Sequence, residues 1–66
     1  MATTQQTVAK RLRAQRLEMR VTARAIAAEL GVHDSGVNRF ELYGAPLPKG
    51  LTVQDYTVAL AKLVSA

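Results

Sequence analysis

Five side chains between positions 33 and 39 can give or take directional hydrogen bonds: His33, Asp34, Ser35, Asn38 and Arg39. A guanidinium can donate two parallel bonds to guanine O6 and N7, and a carboxamide can pair with adenine in the same bidentate way. Ser35 can donate or accept. Asp34 is repelled by phosphates unless it accepts from cytosine N4 or caps a helix. Upstream, Lys10, Arg11, Arg13, Arg16, Arg20 and Arg24 crowd a short span in which Glu18 is the acid. The net charge is +4 and the pI about 10.1. Such a cluster suits a polyanion: DNA, RNA or an acidic membrane. The plainer reading is a solvated basic helix face. Catalysis is not indicated. The carboxylates are Glu18, Glu29, Asp34, Glu41 and Asp55, and none pairs with another at a spacing suited to acid/base work. His33 and Ser35 lie close without a nucleophile elbow or a phosphate-loop glycine pattern. With one histidine and no cysteine, neither a metal site, a disulfide nor any cofactor is implied.

Those hydrogen-bonding residues need a scaffold, and the stretch from Ile26 to Glu41 supplies a pattern for one. Ile26-Ala27-Ala28-Glu29-Leu30 reads as a helix. Gly31 reads as a reversal, where a left-handed backbone is cheap for glycine. A second helix follows from about His33 or Asp34 to Leu42. Ala27 is small where two helices must approach. Ile26, Leu30, Val32, Val37 and Phe40 turn inward onto one core. This is the layout of a helix-turn-helix over about 22–42, with its second helix available to the major groove. Val37 and Phe40 inward leave Asp34, Ser35, Asn38 and Arg39 outward, with His33 at the tip. Gly36 costs this helix roughly 1 kcal/mol relative to alanine. It either lets the backbone approach a duplex closely or is a neutral surface position.

Around that unit the sequence predicts two more helices. Thr3 or Thr4 can cap the first, which runs to about Met19 or Arg20. Val8, Ala9, Leu12, Arg16 and Met19 fall near one face, an odd place for an arginine. Thr22 can cap the helix from Ala23 to Leu30. Gly44 to Gly50 holds two prolines and two glycines and reads as a loop without a regular element. Thr52 then opens a last helix, with Asp55 as a partial capping box. Its apolar face is Val53, Tyr56, Ala59, Leu60, Leu63 and Val64. The expectation is therefore an all-α, four-helix domain over residues 1–66. Half its residues are apolar, which argues against disorder. No apolar run reaches the ~18 residues of a membrane span. The first residues lack a signal-peptide pattern, so the cytoplasm is the default location.

With these motifs in place, the chain resembles the Cro/lambda-repressor-type helix-turn-helix family over about Val8 to Leu63. The matching residues are Thr22, Ile26, Ala27, Leu30, Gly31, Val32, Ser35, Val37, Arg39, Phe40 and Glu41. The resemblance implies a compact lambda-repressor-like fold. It also implies a structural ion pair between Arg16, late in the first helix, and Glu41, late in the third. The rival role for Arg16 is a phosphate contact. Three positions depart from the family pattern. Ala23 stands where a phosphate-contacting glutamine often begins helix two. His33 stands at the usual serine or threonine cap, where its ring can accept an N–H bond, contact DNA or lie exposed. Leu42-Tyr43-Gly44 replaces the common Asn-Gly ending.

The resemblance implies base contacts from His33, Asp34, Ser35, Asn38 and Arg39. Arg20, Arg24, Tyr43 and Lys49 lie at element ends near that helix and suit phosphate contacts. Arg11 and Arg13 are placed on helix one, facing either water or the duplex. Small size makes a phage Cro-type repressor, acting by operator occupancy, the leading expectation. Its partner is double-stranded operator DNA, bound as a homodimer because one unit reads few base pairs. Leu47, Leu51, Tyr56 or Val64 would form the dimer surface, or else complete the monomer core. The alternatives are an antitoxin-type DNA-binding protein with a toxin partner, and a recombination accessory protein that bends DNA.

Overall fold

The helix ends between Glu18 and Val53 are each set by a local device. The computed structural model describes residues 4–65. Helix α1 spans Thr4–Glu18, α2 Ala23–Leu30, α3 Asp34–Tyr43 and α4 Val53–Ser65, with a 3₁₀ turn at Pro48–Gly50. No strand occurs among the described residues. Thr4 is the first helical residue of α1, and Thr3 lies outside the described residues. The helix stops earlier than expected because Arg20 takes a left-handed φ of 60°. Its N–H bonds to the Leu17 carbonyl, and that of Val21 to the Arg16 carbonyl, so two orphan acceptors are satisfied. Met19 is consequently not on the inner face of α1; it is 48% exposed.

Thr22 caps α2 through Oγ1, which accepts the Ala25 N–H at 3.0 Å. Gly31 closes it at φ 72°, with the Val32 N–H reaching the Ala27 carbonyl at 2.9 Å. Helix α3 is closed likewise by Gly44, φ 70°, and its last residue, Tyr43, lies one beyond the expected end at Leu42. Thr52 and Asp55 form the expected reciprocal cap of α4: Asp55 Oδ2 accepts the Thr52 N–H at 2.8 Å, and Thr52 Oγ1 accepts the Asp55 N–H at 3.3 Å. The Gly44–Gly50 segment is not devoid of regular structure. Pro48, its φ preset by the ring, starts the 3₁₀ turn.

Helix α3 packs on α1 and α2, and α4 packs on α2 and α1. The core holds Ala9, Leu12, Ile26, Ala27, Val37, Phe40, Leu47, Tyr56, Ala59 and Leu60. Leu30 and Val32 are half-buried and pack against it. Phe40 and Tyr56 meet as tilted rings, centroids 5.6 Å apart. Leu47 and Tyr56 therefore complete the monomer core and are not dimer-surface residues; Leu51 is half-buried. Val64, expected on the apolar face of α4, is 48% exposed in its last turn. No helix of the described residues is long and apolar enough to cross a membrane.

Candidate nucleic-acid interface

The orientation of α3 is fixed from below by a buried polar cluster. Arg16 Nε donates to Glu41 Oε2 and Arg16 Nη2 to Glu41 Oε1, both at 2.8 Å. This is the bidentate geometry that satisfies both charges. Arg16 Nη1 donates to the Val21 carbonyl at 2.8 Å, tying the pair to the α1–α2 turn. The Tyr56 hydroxyl, from α4, donates to Glu41 Oε2 at 2.5 Å. Three helices thus meet at one carboxylate, and every buried side-chain polar atom among the described residues has a partner. The hydrogen bond to Glu41 raises the Arg16 pKa further, against the opposing effect of burial. Burial first, and then the bond to Glu41, push the Tyr56 phenol well above the ordinary tyrosine range. Arg16 is only 6% exposed, so it belongs to this cluster and not to the surface. Tyr56 escaped sequence reasoning because a tyrosine within an apolar stripe reads as a hydrophobe.

The N-terminus of α3 is capped by His33. Its Nδ1 accepts the Ser35 N–H at 3.1 Å, and the Ser35 hydroxyl lies 2.9 Å from the same nitrogen. Accepting that N–H leaves Nδ1 without a proton, so the neutral ring carries its proton on Nε2. The side chain is 81% exposed. Asp34 Oδ1 sits 3.0 Å from the same Nδ1. Asp34 is the acidic residue in the first turn of α3 and does not cap it.

Val37, Phe40 and Glu41 face inward, while Ser35, Asn38 and Arg39 are exposed. The Asn38 and Arg39 side chains make no hydrogen bond or ion pair with the described residues. Arg24, Ala27 and Ala28 of α2, the cap residue His33 and Asp34 of α3 line an open cleft. Arg20 is exposed at the α1–α2 turn and Tyr43 is 72% exposed at the end of α3. Lys49 is exposed but engaged: its ammonium donates to the Gly31 carbonyl at 2.8 Å. The structure therefore gathers His33, Asp34, Ser35 and Arg24 at one end of α3, and sets Asn38, Arg39 and Tyr43 along it.

Gly36 fits neither expectation made for it. A Cβ there would meet Pro48 Cγ at 2.4 Å. The glycine makes room for the 3₁₀ turn, not for a duplex. Pro48 on Gly36 and Lys49 on Gly31 together brace the α2–α3 turn from outside. Searches against family models, curated proteins and solved structures return no match for this chain.

Proposed function

We propose that the protein is a sequence-specific double-stranded DNA-binding transcription regulator, most like a Cro-type repressor that acts by operator occupancy. In this reading α2 and α3 form a helix-turn-helix and α3 enters the major groove. The supporting observation is the asymmetry of α3. Its inner face is locked by Val37, Phe40 and Glu41, while its outer face offers Asn38 and Arg39 without competing partners and Ser35 beside the His33 cap. Arg39 and Asn38 read guanine and adenine edges. Ser35 and the Nε2–H of His33 add shorter-range contacts. Arg20, Arg24, Tyr43 and Lys49 hold phosphates, and Lys49 exchanges its Gly31 carbonyl for one of them. Two copies occupy a two-fold site, in the cytoplasm of a bacterial or phage-infected cell, with no cofactor and no catalytic step.

The test separates base contacts from phosphate contacts. Arg39→Ala should weaken binding to a selected site by about 1–3 kcal/mol and leave binding to random DNA nearly unchanged. Arg24→Ala should weaken both and lower the salt dependence by about one phosphate contact. Equal effects of both variants on both DNAs would overturn this division of roles.

A further inference from the structure

The basic residues of α1 fall on two different edges of the helix. At roughly 100° per residue, Gln6 and Arg13 lie within about 20° of one another. That edge faces α3: a Cβ on Gly44, the C-terminal cap of α3, would sit 2.9 Å from the Gln6 Cα. Gln5 Nε2 donates to the Gly44 carbonyl at 2.9 Å, and two turns or more along the helix Arg16 grips Glu41. The α3-facing side of α1 is thus pinned at both ends, and Arg13 projects, exposed, between the pins. Lys10 lies about 60° further outward on the same flank. Arg11 lies about 160° from Arg13, near the azimuth of Gln15, which lines the groove between α1 and α4. On α3, moving outward from Glu41 on the side facing α1 leads to Asn38 and Leu42, both exposed. By this placement Lys10 and Arg13 lie on the flank of α1 that borders the Asn38 and Leu42 side of α3.

We infer that Lys10 and Arg13 form a phosphate-binding ledge beside α3, while Arg11 does not take part; this rests on the DNA-binding reading above. Neither Lys10 nor Arg13 has a hydrogen-bond or ion-pair partner among the described residues. Both long side chains project from a wall fixed relative to α3, so both cations reach a strand that follows the edge of the groove. The competing role for Arg13 is intramolecular: it lies toward the C-terminal half of α3, whose dipole attracts a cation. That role would be read in stability and not in the salt dependence of binding.

The experiment measures binding of the full chain to a short mixed-sequence DNA duplex as a function of salt. Removing one phosphate-binding cation should lower the slope of log K against log salt by about 0.9. Arg13→Ala and Lys10→Ala should each lower it by that amount, the double variant by nearly twice as much, and Arg13→Lys should restore it. Arg11→Ala should leave the slope at the wild-type value. Wild-type slopes in both Lys10→Ala and Arg13→Ala, or an equal drop in Arg11→Ala, would overturn the ledge and leave the DNA-binding reading standing. Absence of salt-dependent binding by the wild type would overturn that reading and the ledge with it. Thermal melting of each variant identifies a purely structural effect, which lowers Tm without moving the slope and counts against the ledge.

Discussion

At the scale of single residues, Glu41 is the position on which most depends. It receives two guanidinium bonds and one phenolic bond while 1% exposed. Removing it strands the Arg16 charge in the interior. Glu41→Ala should therefore cost about 3–5 kcal/mol, read as a fall in Tm. Tyr56→Phe keeps the ring contact with Phe40 and removes one bond to a charged acceptor. It should cost about 1.5–3 kcal/mol. The same tyrosine makes a pH prediction. Its folded pKa lies above the ordinary value near 10. The folded state holds that proton more tightly than the unfolded chain does. The contribution is complete below the unfolded value and is lost as pH rises through the folded one. Tm should fall above about pH 10, and the Tyr56→Phe protein, less stable at neutral pH, should fall less steeply. Equal alkaline slopes in the two proteins would remove this role from Tyr56. The Arg16–Glu41 pair was legible only through the family resemblance, because nothing local makes an arginine on an apolar face seek a glutamate 25 positions away.

Among elements, what the sequence revealed was whatever is decided locally. Thr22, Gly31, Thr52 and Asp55 announce helix ends because their effects act within three or four residues. The 3₁₀ turn and its docking were not legible. Gly36 reads as a weak point in a helix, and only the fold brings Pro48 to it. This yields a prediction opposite in sign to helix propensity. Gly36→Ala would gain roughly 1 kcal/mol in an exposed helix. Here its Cβ collides with Pro48, and overpacking of this kind costs about 1–3 kcal/mol, so the net effect should be destabilising. The left-handed caps can be ranked in the same way. Gly31→Ala meets nothing within 4 Å and carries backbone strain alone, whereas Gly44→Ala adds a clash with the Gln6 backbone. Gly44→Ala should be the more damaging in chemical denaturation. Arg20→Gly should stabilise by about 0.5–1 kcal/mol, since Arg20 holds a left-handed φ that glycine adopts more readily.

For the whole molecule, the division of labour runs between faces. One side of α3 is committed to the core and the Glu41 cluster; the other carries exposed hydrogen-bonding groups, with Arg24 of α2 near its N-terminal end. The four-helix architecture was legible from periodicity and capping. The outward set of α3 was too, because inward Val37 and Phe40 fix the opposite face. Which apolar residues the chain itself covers was not: of Leu47, Leu51, Tyr56 and Val64, Leu47 and Tyr56 are core residues. An isolated apolar residue carries no sign of whether its own chain or another covers it. The central claim is that the outer face of α3 reads DNA sequence. Selection of bound sequences from random duplex DNA by the wild-type protein tests it most directly, with Arg39→Ala in parallel. The account predicts an enriched motif with two-fold symmetry, and loss of preference at one position per half-site in the variant. No enrichment at any salt concentration would contradict it.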